Sequence, residues 1–114
     1  MADCIFCRIA AGEIPAEIVY EDDDVVAFRD INPQAPTHVQ VIPRAHIEKV
    51  TDLGPEHNAL IAKMMHAGLK VAEDEGITGD GFRMVYNCGA NAGQAVFHIH
   101  LHVLGGRPLG WPPG

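Results

Sequence analysis

The sharpest periodicity in the chain lies near its C-terminal end, where Phe97-His98-Ile99-His100-Leu101-His102-Val103-Leu104 alternates apolar side chains with histidine. A period of two belongs to a β-strand. Phe97, Ile99, Leu101 and Val103 are therefore expected to face a core, while His98, His100 and His102 share the opposite face. Four further stretches read as strands. Residues 17–21 and 25–30 form a hairpin about an acidic turn at 21–24, residues 37–43 alternate again, and residues 82–87 are rich in β-formers. Asn32-Pro33-Gln34-Ala35-Pro36 cannot continue regular structure, because both prolines lack an N–H and restrict the residue before them.

Apolar spacing of three and four residues appears twice. Residues 4–11 place Ile5, Phe6 and Ile9 on one side of a short helix stopped by Gly12. From Pro55 to about Glu75 a longer helix carries Leu60, Ile61, Met64, Met65, Gly68, Leu69 and Val71 on a wide apolar face. Pro55 and Glu56 suit its N-terminus, and Gly76 its stop. With no repeat and no linker, residues 1–114 are expected to form one α+β domain, a mostly antiparallel sheet with one long helix packed on it.

Composition narrows the classes of function. The chain is 47% apolar and 20% charged, ordinary for a soluble globule with a modest core. No apolar run reaches the roughly 20 residues of a membrane helix, so no membrane partner is expected. Fifteen acids against eight bases give a net charge of −7, which disfavours a nucleic-acid partner. A small anionic ligand remains compatible, since one site can be locally positive. Met1-Ala2-Asp3-Cys4 lacks the basic-then-apolar pattern of an export signal, so a cytoplasmic location is expected. Three cysteines do not suggest a disulfide framework.

Three histidines on one strand face suit proton transfer, nucleophilic attack or metal ligation. As a nucleophile, an imidazole must be neutral, with one nitrogen free and the other hydrogen-bonded. His100 is best placed because it has a histidine on each side, and His102 could hold or donate a proton. His38 joins them only if its strand adjoins theirs. Residues 87–94 lead directly into the histidine strand, and Gly89 and Gly93 would let backbone N–H groups approach an anion. Asp30 could accept ribose hydroxyls or cap the turn at Asn32-Pro33. Cys4-x-x-Cys7 has the spacing of two zinc ligands, or is a pair of small buried side chains on a helix.

The chain resembles the histidine triad (HIT) family. His98-Ile99-His100-Leu101-His102-Val103-Leu104 is similar to the family's His-φ-His-φ-His-φ-φ motif, where φ is apolar. Similarity continues through Ile5-Phe6, Glu13-Ile14-Pro15, Phe28, Asp30-Ile31, Pro36-Thr37-His38, Val41-Ile42-Pro43, Asn87, Gly93-Gln94, Leu104-Gly105-Gly106-Arg107 and the Hint-like tail Trp111-Pro112-Pro113-Gly114. The resemblance implies a five-stranded sheet with a long and a short N-terminal helix, and a homodimer whose sheets join across the two-fold. It implies a purine nucleotide hydrolase acting on adenosine 5′-phosphoramidates and aminoacyl-adenylates. His100 would attack the α-phosphorus, His102 would contact phosphate and leaving group, and His38 and His98 would complete the polar wall. The base would lie among Ile5, Phe6, Ile9, Ile14 and Phe28, and the ribose on Asp30. Asn87 and the Gly93 loop would hold phosphate, with Ile31, Gln94, Ala95, Val96 and the partner's Trp111 as further nucleotide contacts. Animal members carry serine where this chain has Ala95. Catalysis would need no cofactor, whereas Cys4, Cys7, His46 and His98 would hold a structural zinc, as in bacterial members.

Two other classes compete with a covalent hydrolase. Two triad histidines and His38 could ligate a zinc that activates water. Alternatively, the chain could be a nucleotide-binding regulatory module with little turnover.

Overall fold

Pairing in the computed structural model, which describes residues 3–114, follows the alternation read above for most of its length. Met1 and Ala2, on which the expectation of no export signal partly rests, lie outside the described residues. The strands are β1 (Ile18–Glu21), β2 (Val25–Arg29), β3 (Thr37–Pro43), β4 (Phe82–Tyr86) and β5 (Leu101–Gly105), and the α-helices are α1 (Ile5–Ala10) and α2 (Asn58–Asp74). All strand pairs are antiparallel, in the order β1-β2-β3-β5-β4. The acidic run 21–24 makes the hairpin tip, where Asp22 Oδ1 accepts the N–H groups of Asp24 and Val25 at 2.8 and 2.9 Å.

Strand alternation splits the sheet into two working faces. Val25, Ala27, Val39, Val41, Leu101 and Val103 pack beneath Met64, Ala67, Val71 and Ala72 of α2. Gly68 allows this close approach, since a Cβ there would lie 2.8 Å from Met84 Cε and 3.3 Å from Leu101 Cδ2. On the other face Val26, Phe28 and Ile42 pack against Phe6 of α1. His38, Gln40 and His102 belong to this second face, so α2 backs the sheet while α1 flanks the histidines.

Three details depart from the periodicity. Strand β5 begins at Leu101 rather than at Phe97. The β3–β5 register pairs Val41 with Leu101, and its next step would set Ile99 opposite Pro43, which has no N–H to offer. The Ile99 N–H instead donates to Ile47 O at 2.7 Å. His98 and His100 thus precede the strand, and Phe97, expected in the core, is 47% exposed. The long helix opens with a 3-10 turn at Pro55–His57. Its buried stripe is Met64, Ala67, Gly68, Val71 and Ala72, leaving Met65 and Leu69 outside. Among the described residues no helix is long and apolar enough to cross a membrane.

Candidate active site

Strand register brings the histidines together. Gln40 lies opposite His102, and His38 opposite Leu104, so His38 and His102 are diagonal neighbours on one face. Their rings meet through His38 Nε2 and His102 Nδ1 at 2.8 Å. The His100 ring stands 4.9 Å from that of His102 and edge-on to Phe6 at 5.1 Å. His98 is fully buried and turns away, toward α1 and His46.

Backbone partners fix the proton on each ring. His100 Nδ1 is 2.7 Å from His98 O, which can only accept, so Nδ1 carries the proton and Nε2 keeps its lone pair. His98 Nε2–H donates to Pro43 O at 2.8 Å, leaving Nδ1 bare. His38 Nδ1 accepts the Gln34 N–H at 3.0 Å, so the His38 proton sits on Nε2 and points at His102 Nδ1. His102 is then protonated on Nε2. The Nε2 atoms of His100 and His102 are neither hydrogen-bonded to the described residues nor shut away from solvent. A free lone pair and an N–H therefore open side by side. Burial lowers the pKa of His38, His98 and His100, against the opposing pull of Asp30 on His38 and of backbone acceptors on the other two. Burial, then the neighbouring His100 and His38, lowers His102 to about 4. The site is a set of neutral imidazoles at neutral pH.

Asp30 caps the turn, one of its two expected readings, and also faces the histidines. Its Oδ1 caps the turn by accepting the Asn32 N–H at 2.8 Å, while Oδ2 accepts Gln40 Nε2 at 2.8 Å and lies 3.4 Å from His38 Nε2. Gln40 was not singled out from the sequence, although it lies two residues from His38 on the same strand face. Its Oε1 is buried without a partner among the described residues. In the loop before the triad, Gly89 and Gly93 take positive φ of 85° and 81°, as a backbone-lined turn requires. Gln94 faces inward: its amide donates to Glu48 O and Val96 O and accepts the Gly89 N–H, so its side chain braces the loop. Phe6 and Phe28 meet edge-to-face at 5.4 Å, with Ile9 and Val96 packed beside them. Ile5, Ile31, Ala95 and Trp111 are exposed, Trp111 at 85%. Ile14 and Asn87 are half-buried. A separate groove lined by Pro36, Thr37, Glu75, Ile77, Gly106 and Arg107 contains none of these histidines.

Among the described residues, two groups bring potential ligand atoms within 4.8 Å of one another: Cys4, Cys7, His46 and His98, and Asp30, His38 and His102. The first suits zinc. His98 Nδ1 lies 3.4 and 3.5 Å from the sulfurs of Cys4 and Cys7, and His46 Nδ1 lies 3.2 Å from Cys7 Sγ. Ligands on tetrahedral zinc stand about 3.3–3.8 Å apart, given Zn–S and Zn–N bonds near 2.3 and 2.0 Å. The Pro43 carbonyl fixes the His98 tautomer as an outer partner of a metal-bound imidazole does. The second group is unsuited, because His38 already spends its Nδ1 lone pair on the Gln34 N–H. A metal on Nε2 would require an imidazolate.

The chain is similar to known proteins along nearly its whole length. The HIT domain family model matches residues 11–109. The chain is 51% identical over 108 residues to the purine nucleoside phosphoramidase of Escherichia coli, covering 95% of this chain and 91% of that one. Among solved structures, a HIT family hydrolase from Legionella pneumophila superposes with a TM-score of 0.97 at 49% identity, covering 98% of this chain and all of the other. A zinc-bound histidine triad family protein from Mycobacterium smegmatis gives 0.81 at 36% identity, covering 99% and 81%. Family match, identity and superposition extend across nearly the whole chain, and the chain belongs to the HIT family.

Proposed function

We propose that this HIT family hydrolase splits purine nucleoside 5′-phosphoramidates and aminoacyl-adenylates, releasing AMP through a nucleotide attached to His100. The observation that carries this reading is the His100 ring, whose Nδ1–H is held by the His98 carbonyl while Nε2 keeps an open lone pair. The Nε2 pair forms a bond to the α-phosphorus, and the bond from phosphorus to the leaving group breaks. The ring then bears a positive charge, which the His98 carbonyl stabilises through Nδ1–H. Water next attacks phosphorus, the P–N bond returns its pair to Nε2, and the water's surplus proton passes to solvent. His102 Nε2–H lies where it can hydrogen-bond a phosphoryl oxygen. The base would lie against Phe6, Phe28, Ile5, Ile9 and Ile14, with the ribose near Asp30 and Ile31. The phosphate would sit by the segment from Asn87 through Gly93, Gln94, Ala95 and Val96.

Zinc has no part in these steps. Held by Cys4, Cys7, His46 and His98, it would pin α1 to the segment that presents His100. The enzyme is read as a cytoplasmic homodimer, with Trp111 of each copy near the other's site. The name of the Escherichia coli relative supports the substrate class.

Trapping tests the covalent step. Wild type mixed with a labelled adenylate and denatured in alkali should carry label, whereas His100→Ala should carry none. Its turnover should fall by more than the roughly 10²–10⁴-fold typical of losing an acid or base. Turnover by wild type with no label ever attached would overturn the reading.

A further inference from the structure

We propose that His38 is a positioning residue that holds His102 as a neutral Nε2–H donor, so that His102 hydrogen-bonds the reacting phosphoryl group but gives the leaving group no proton. This rests on the covalent reading above and concerns only how the leaving group departs.

His38 is a donor whose proton is held in place. The Gln34 backbone N–H points at His38 Nδ1 at 3.0 Å, so that nitrogen is an acceptor and the His38 proton sits on Nε2. At 2.8 Å from that proton, His102 Nδ1 must also be an acceptor. A second proton on His102 would set two N–H groups head to head across that distance. His102 is thereby denied the imidazolium form that a general acid needs. Giving up its single proton would leave an imidazolate, and sliding the His38 proton across would only move the imidazolate to His38. Asp30 does not supply the missing proton, because it is engaged as an acceptor by Asn32 N–H, Gln40 Nε2–H and, more distantly, His38 Nε2–H. Ala95, in the loop leading to the triad, carries only a methyl. The depressed pKa of His102 agrees with this arrangement.

The balance of the step follows. The His100 Nε2 pair forms the bond to phosphorus, and the broken bond's pair leaves on the departing atom. A carboxylate or phenolate departs as the anion, and an amine departs only if solvent has already protonated its nitrogen. Rates should therefore fall steeply as the leaving group becomes more basic.

The test uses aryl esters of AMP, from 4-nitrophenyl to 4-methylphenyl, and compares the slope of log kcat/KM against phenol basicity. His102→Gln keeps an N–H donor and an acceptor for His38 but no acidic proton. Its loss should be the same for every ester, within about threefold. A loss that grows with phenol basicity toward the roughly 10²–10⁴-fold of a missing general acid would overturn the proposal. His38→Ala frees His102 Nδ1 to take a proton, so its slope should be shallower than that of wild type. A uniform drop across the series would mean that His38 is merely structural, and would also overturn it. Should either variant fail to fold, wild type decides alone: its slope should match that of imidazole attacking the same esters in water, and a flatter one overturns the proposal. Label trapped on wild type from the 4-nitrophenyl ester establishes the covalent step separately, so the two readings fail by different signs.

Discussion

At the scale of single residues, Gln40 shows what the strand pattern held but did not reveal. Alternation from His38 places it on the site face, yet a glutamine inside a strand carries no chemical signature that singles it out. In the fold it donates to Asp30 Oδ2 and leaves Oε1 buried without a partner among the described residues. A buried, unpaired carbonyl costs about 1–3 kcal/mol, similar to what a hydrogen bond to a charged group contributes. Replacing Gln40 with leucine removes both and adds apolar contact with the sheet. The expected result for Gln40→Leu is a stability within about 1 kcal/mol of wild type in urea unfolding, unusual for deleting a buried polar side chain. A loss above about 2 kcal/mol would show that the hydrogen bond to Asp30 outweighs the relief of removing Oε1. Asp30 teaches a related lesson, since its two carboxylate oxygens let one residue cap a turn and face the site together.

Elements were more legible than their ends. Both α-helices and the strands within 37–43 and 97–104 are legible from apolar spacing, because a buried face imposes a period of two or of 3.6. Residues 25–29, buried on both faces, and 82–86 are legible only from β-forming residues between turns. What overran was the histidine strand, and the cause lies 56 residues earlier in Pro43, whose missing N–H stops the ladder before Ile99. That interruption frees His98 to leave the sheet face and meet Cys4 and Cys7. Spacing alone left the cysteine pair open between ligands and buried small side chains, and no local pattern linked it to a histidine 91 residues away. Only the family resemblance did. If zinc joins α1 to this segment, purified protein should contain one zinc per chain. Cys7→Ser should lose it and lose at least about 2 kcal/mol, roughly 8 °C in Tm. Metal analysis with zero zinc, or an unchanged Tm in a zinc-free variant, would end the assignment.

At the scale of the whole molecule, several large apolar side chains stay exposed. The long helix offers a wide apolar face, but Met65 is 42% and Leu69 38% exposed. Within one sequence, buried and exposed apolar residues look alike, so the pattern alone does not separate them, whereas the fold buries Met64, Ala67, Val71 and Ala72 and leaves Met65 and Leu69 outside. Strand order leaves β4 at an edge with all five residues only partly buried, and the Met84 side chain of that strand reaches Gly68 of α2. A free strand edge on a molecule that also exposes methionine and leucine from its long helix offers surface suited to self-association. Two copies meeting there would carry β4 and α2 onto their counterparts and join the sheets about a two-fold axis. Each copy brings a net charge of −7, so apolar contact must overcome like-charge repulsion, and added salt should tighten the association. Sedimentation should give twice the chain mass. The double substitution Met65→Glu and Leu69→Glu should raise the dissociation constant by about 100-fold or more by placing charges in the contact. A wild-type chain that sediments singly at micromolar concentration would refute the homodimer, and Trp111 would then have no partner site to approach.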